Sequence, residues 1–161
     1  HIGLSSKGEN IFNIVNPPLR SEDDRLALIQ ALKTGDADVI ATDHAPHTMQ
    51  DKADGSPGFS GLETAFAVCN TKLVKENGLS LKQLSALMSA KPAAILGLKD
   101  RGLLAPGYQA DMTLVDVEKI WTVLGSDFKS QGKFTPLEGK KLTGRVEATF
   151  LGGKLVFQRE F

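Results

Sequence analysis

Ala37-Asp38-Val39-Ile40-Ala41-Thr42-Asp43-His44 is a short run of small and β-branched residues that ends abruptly in polar groups. The pattern predicts a strand buried on both faces, as in a parallel sheet, because apolar residues do not alternate with polar ones. The polar cluster Thr42-Asp43-His44-Ala45-Pro46-His47 then falls at the carboxyl end of that strand, where ligands bind in open α/β sheets and barrels. An Asp fixed there can ligate a metal or act as a general base. His44 and His47 add two imidazoles, common metal ligands and hydrogen-bond donors. The same residues could instead cap the next loop and meet solvent, and their spacing matches no short zinc motif.

Upstream, residues 1–15 read as an irregular entry, with turn formers from Ser5 to Asn10 and a short apolar run from Ile11 to Val15. Asn16-Pro17-Pro18-Leu19-Arg20 interrupts any hydrogen-bond ladder, since neither proline carries an N–H. Held stiffly, the Asn16 amide can bond a ring carbonyl and a ring N–H at once, and Arg20 can clamp a carboxylate. A rigid turn with Arg20 on a surface carboxylate is the plainer alternative. Ser21, with Asp24 three residues on, predicts a capped helix that buries Leu28, Ile29 and Leu32 and stops at Gly35.

Downstream, residues 45–61 hold two prolines and three glycines and predict a loop of about seventeen residues, long enough to favour a functional one. In Ser56-Pro57-Gly58-Phe59-Ser60-Gly61 the glycines let backbone approach a ligand, although an ordinary loop tip reads the same way. A second helix is expected over residues 62–76, with Leu62, Phe66, Cys69 and Leu73 on one side, so that Cys69 is core. A third starts after Ser80, whose capping box is completed by Gln83. Its apolar side is Leu81, Leu84, Leu87 and Met88, and Pro92 opens one further turn towards Gly97.

The texture changes near residues 97–103. Met112–Val115, Ile120–Val123 and Arg145–Phe150 read as strands, and Gly152-Gly153 as a two-residue hairpin turn. Trp121 fits sandwich packing. The 161 residues balance nineteen basic against nineteen acidic side chains, which gives no general field for nucleic acid or an anionic membrane. One cysteine excludes an internal disulfide and a multi-cysteine zinc site. No apolar run approaches the ~18–20 residues of a membrane-spanning helix. A soluble intracellular protein, or a piece of one, is expected.

Three motifs in this order resemble the dihydroorotases of the amidohydrolase superfamily: Asn16-Pro17-Pro18-Leu19-Arg20, Ala41-Thr42-Asp43-His44-Ala45-Pro46-His47 and Pro57-Gly58-Phe59-Ser60-Gly61-Leu62-Glu63-Thr64. Lys91-Pro92-Ala93-Ala94-Ile95-Leu96-Gly97-Leu98 resembles the superfamily's last barrel helix, and residues 102–111 its return into a small β-sandwich. The Asp-His-Ala-Pro-His run also occurs in allantoinases; Asn-Pro-Pro-Leu-Arg is what points to dihydroorotase. The resemblance implies an α/β fold: residues 1–98 as the C-terminal segment of a metal-dependent (β/α)8 barrel, residues 99–161 as the C-terminal part of a composite β-sandwich. It implies zinc as cofactor, with Asp43 as the last-strand carboxylate that binds it and carries the proton. Asn16 and His47 correspond to substrate-recognition positions, and Gly58 and Phe59 to the loop whose backbone touches the pyrimidine ring. The implied reaction is reversible closure of N-carbamoyl-aspartate to dihydroorotate in de novo pyrimidine synthesis. The implied setting is cytoplasmic, with a small-molecule substrate, a homo-oligomer, and aspartate transcarbamoylase as a candidate partner, as in some relatives.

A barrel of this type needs ~250 residues. This sequence does not match the family's first-strand His-x-His pair and Arg, its later-strand histidines or its bridging ligand. One carboxylate cannot hold a catalytic zinc that usually needs three protein ligands. The isolated chain is therefore expected to be an inactive fragment of a dihydroorotase. The alternatives are a non-enzymatic domain that pairs with a complementing subunit, and a piece of an allantoinase- or hydantoinase-like enzyme. The strand around Val39–Ala41 is expected to lack its barrel neighbours and to leave open edges.

Overall fold

The computed structural model describes residues 1–4 and 13–159. The segment of turn formers and the first two residues of the apolar run, Ile11 and Phe12, lie outside them. Helix α1 (Glu22–Thr34) starts and stops as the sequence predicts. Ser21 Oγ accepts the Asp24 amide, the Asp24 carboxylate returns a bond to the Ser21 backbone, and Gly35 ends the helix in a left-handed conformation. Ile29 and Leu32 are buried, but Leu28, expected beside them, is 45% exposed.

The run that decides the fold takes a different form from the one expected. Residues 38–48 pair with no strand among the described residues, and Val39 and Ala41 are exposed. The Ile40 N–H donates to Leu87 O at 3.0 Å, which ties the run to the helical layer instead. The composition of a doubly buried strand is present, but the neighbours that would complete its ladder are not among the described residues. The sequence-based picture of a parallel barrel strand is corrected to an extended, half-open segment.

The predicted loop at 45–61 contains a short helix, α2 (Met49–Ala53), capped by Thr48 and Asp51 in a second capping box. A continuous helical stretch follows: a 3-10 turn (Leu62–Thr64), α3 (Ala65–Cys69) and a π-helical segment (Asn70–Lys75). Leu62 is exposed, whereas Cys69 and Leu73 are buried. Helix α4 (Leu81–Ser85) carries the Ser80–Gln83 capping box and runs through a π-helical segment (Ala86–Ala90) into α5 (Lys91–Ile95), with Pro92 in its first turn. Leu84 and Leu87 are buried; Leu81, assigned to the same side, is exposed.

The remainder forms an antiparallel three-stranded sheet in the order β1 (Met112–Thr122), β2 (Lys141–Leu151), β3 (Lys154–Gln158). The two strands read at 112–115 and 120–123 are one strand with an irregularity between Asp116 and Ile120. There the Asp116 carboxylate accepts the Glu118 and Lys119 amides at 2.9 and 3.0 Å, satisfying donors that the bulge removes from the ladder. Gly152-Gly153 turns β2 into β3.

Two apolar clusters hold these parts. One joins α1 to the later helices through Ile29, Leu32, Cys69, Leu73, Leu84 and Leu87. The other packs Ala67 and Val68 of α3 against Val123, Phe128, Leu137 and Leu142. Trp121 lies against this second cluster, and its indole N–H donates to Gly144 O at 2.8 Å. Burial pushes the Cys69 thiol up to about 12, so it stays protonated inside the core.

Candidate active site

The three polar motifs are connected by both backbone and side-chain hydrogen bonds. Asn16 precedes Pro17 through a cis peptide bond and is exposed. Two residues earlier, Ile14 O accepts the Gly58 N–H at 2.9 Å, which lays the Asn16 segment beside the glycine loop. Gly58 has φ +117°, and a Cβ there would sit 2.6 Å from Ala45 Cβ. Glycine is required on both counts, conformation and space. Ala45 N–H in turn donates to Phe59 O at 3.2 Å. The run after Thr42, the glycine loop and the Asn16 segment therefore form one layer.

Asp43 is exposed and adopts φ +48°, a conformation open to Asp at modest cost. Its carboxylate has no partner among the described residues, so it is available to a ligand from outside. His44 is committed to the chain: its Nδ1 accepts the Gly61 and Leu62 amides at 3.1 and 3.3 Å, which leaves the proton on Nε2. His47 Nε2 lies 2.9 Å from Pro57 O, so that nitrogen carries a proton and donates it to the carbonyl. Arg20 lies on the surface, 3.6 Å from Asp24. Phe59 is buried, its ring 5.6 Å from that of His1, and the Phe59 N–H has no partner among the described residues.

Of the expected site residues, His47 lies against the Pro57–Gly58 turn, with Phe59 next in the chain; Asn16 follows two residues after Ile14, whose carbonyl accepts the Gly58 N–H, and Asp43 stands at the start of the run that holds His47. No three His, Cys, Asp or Glu side chains are grouped to hold a metal among the described residues.

Two features have no counterpart in the sequence reading. Lys52 of α2 is fully buried, and burial lowers its pKa from the usual 10.5. Its Nζ donates to Ser56 O at 2.6 Å, Gly58 O at 2.8 Å and Ile14 O at 3.2 Å. A lysine four residues after a Thr cap reads as surface; only the Thr48-x-x-Asp51 box could have announced the helix that carries it. The second feature is the 129–134 segment between β1 and β2, which lies over the same loops. Glu63 accepts the Lys129 and Ser130 amides at 2.8 and 2.9 Å, and the Ser60 N–H donates to Phe134 O at 3.1 Å. Gly132 is so close to Pro46 that a Cβ would lie 2.6 Å from the proline's.

Residues 4–156 match the model of the amidohydrolase family. The chain is 48% identical over 159 residues, 99% of its length, to a dihydroorotase of Clostridium botulinum, of which it covers 39%. It is 50% identical over 149 residues to a dihydroorotase of a Geobacillus species, covering 90% of this chain and 35% of that protein. The chain thus spans about two-fifths of the length of the curated relatives it matches. Among solved structures it superposes on an L-hydantoinase (dihydropyrimidinase) from Arthrobacter aurescens with TM-score 0.85 and 32% identity, covering 90% of this chain and 34% of that one. A D-hydantoinase (dihydropyrimidinase) from a Thermus species gives TM-score 0.87 at 25% identity, covering 92% and 34%. These neighbours are TIM-barrel proteins.

Proposed function

Since the chain belongs to the amidohydrolase family, we propose that it is the part of a dihydroorotase that supplies the last-strand carboxylate and the substrate-recognition loops. The observation that carries this reading is the Gly58 N–H to Ile14 O bond, which joins the segment leading into Asn16 to the glycine loop and so supports a common site with the run from Asp43 to His47. The similarity to proteins named dihydroorotase supports the same reading. In it, the Asn16 amide and His47 orient the cyclic imide. The Phe59 N–H, without a partner among the described residues, donates to a ring carbonyl. In ring opening Asp43 takes a proton from the attacking water and passes it to the departing ring nitrogen; in ring closure it takes the proton from that nitrogen and returns it to the departing water. The layout of residues 1–98 as barrel segment and 99–161 as sandwich segment belongs to this proposal, as do a homo-oligomeric assembly, contact with aspartate transcarbamoylase and a place in the cytoplasm. No helix among the described residues is long and apolar enough to cross a membrane.

The residues present do not by themselves fit a catalytic zinc, which usually takes three protein ligands. Asp43 is the one ligand the proposal draws from this chain, and the others lie outside it. Accordingly, the isolated chain is proposed to be inactive.

The test uses the full-length protein that carries this chain. Intact mass from the native source comes first: a value far above 17.3 kDa supports a longer enzyme, whereas 17.3 kDa supports a non-enzymatic domain with a complementing subunit. Hydrolysis of dihydroorotate, hydantoin and allantoin is then compared. Asp43→Ala is expected to lose turnover by about 10²–10⁴-fold or more, the range of a proton-transfer group, and to bind less zinc. Asn16→Ala should weaken substrate binding and keep the metal. Wild-type turnover in Asp43→Ala sinks the assignment. A hydantoinase-like activity is the second reading, favoured by the superposition on hydantoinases, and faster opening of hydantoin than of dihydroorotate would establish it.

A further inference from the structure

We propose that Lys52 is a positioning residue for the cyclic-amide substrate, fixing the Gly58–Phe59 peptide so that its N–H faces the ligand. This inference rests on the reading of the site given above. Lys52 is fully buried and pairs with no carboxylate among the described residues. An ammonium in such a place loses its hydration, and an apolar side chain of similar length would fill the space without that loss. What the ammonium supplies is three donors, and all three are used, on Ser56 O, Gly58 O and Ile14 O. The Phe134 ring, 5.6 Å from Nζ, covers the remaining side with its electron-rich face.

The three carbonyls come from the segments that carry the recognition groups. Ile14 lies two residues before Asn16. Ser56 precedes Pro57, whose carbonyl holds His47 at 2.9 Å. Gly58 C=O belongs to the same planar unit as the Phe59 N–H. In a trans peptide these two groups point in opposite directions. With its oxygen held at 2.8 Å by Lys52, the plane can present its N–H only to the side away from the lysine. That N–H is the one with no partner among the described residues. A cation on the carbonyl also polarises the peptide and strengthens the N–H as a donor.

Lys52→Met in the full-length protein keeps the length and removes the donors. KM for dihydroorotate should rise by about tenfold or more, the cost of losing hydrogen bonds to a charged group, with kcat and zinc content near wild type. Hydrogen exchange should accelerate in peptides covering 13–16 and 56–60 and stay unchanged in β2. Unchanged KM and unchanged exchange would overturn the inference. Acceleration spread through β2, with activity falling only in proportion to the folded fraction, would also overturn it by assigning Lys52 to the fold alone. If Lys52→Met does not fold, Lys52→Arg decides. Its planar fork cannot meet three converging carbonyls as a point charge does. A raised KM with local exchange supports the inference, and wild-type behaviour rejects it. Should the wild-type enzyme ignore dihydroorotate and open another cyclic amide, the substrate reading fails, and the variant-to-wild-type ratio is taken on that amide. If no cyclic amide is opened, the inference falls together with the reading of the site.

Discussion

Gly58 concentrates two demands on one residue: a φ of +117° and a neighbouring Ala45 Cβ 2.6 Å from where a side chain would begin. Gly58→Ala should therefore destabilise the full-length protein, by about 1–3 kcal/mol from backbone conformation alone, with the clash added. Adding Ala45→Gly should recover the clash and leave the conformational part, so thermal melting of the single and double variants separates the two. Cys69 makes a simpler case. With its thiol pushed up to about 12 and its side chain buried, it should not react with a disulfide reagent near pH 8 until the protein unfolds. Rapid labelling of folded protein would contradict that burial. At this scale the polar candidates stand out in the sequence because Asn, Asp, His and Gly have few reasons to cluster where an apolar run ends. Lys52 does not, because the burial of a lysine depends on carbonyls that converge from residues 14, 56 and 58.

Among elements, helix starts were the most readable feature, since a capping box is local chemistry. Ser21–Asp24 and Ser80–Gln83 form as expected, and Thr48–Asp51 obeys the same rule inside a segment read as loop. The Asp24 carboxyl lies below its usual 3.8 chiefly because it accepts from the Ser21 side chain, then from the Ser21 backbone, with Arg20 adding a smaller attraction. Asp51 is lowered in the same way by Thr48. A carboxyl with a depressed folded-state pKa stabilises the fold above its unfolded value and loses that contribution as pH falls through the folded one. Asp24→Ala should thus lower stability at neutral pH, and the gap to wild type should close in acid below about pH 4. A gap that persists unchanged at pH 2 would remove the cap from the account. Strand 37–44 failed to appear because its stabilisation is non-local: side-chain composition can favour a buried strand, but only adjacent strands can pair its amides.

For the molecule as a whole, the exposed area is 9983 Å² at 17.3 kDa, against about 7,800 Å² for a complete monomer of that mass. Part of the excess is apolar: Leu26, Leu28 and Val39 remain open, and a cavity lined by Leu28, Val39, Ala41, Phe59 and Val68 opens beside them. Contiguous apolar surface of this kind drives association. The 161-residue chain expressed alone should bind a hydrophobic dye and self-associate, as measured by fluorescence and light scattering. A monodisperse, dye-negative monomer would mean that this face closes by itself. The helices and the sheet hairpin were readable from the chain because their contacts are local. The state of residues 37–44 was not, because a strand there needs neighbours that are not among the described residues.

The 129–134 segment grips the loops at residues 46 and 60–63 mainly through backbone amides and carbonyls, together with Glu63 and Ser60, and through the bare Cα of Gly132 against Pro46. Evolution by module exchange is constrained by such an interlock. A crossover placed between residues 98 and 111, where the helical part gives way to the sheet, would look clean in an alignment of two relatives. It would nevertheless separate Glu63 and Ser60 from the loop they hold. Hybrids that inherit both sides from one parent should keep a working pocket, and those that mix them should lose it even when every pocket residue is identical.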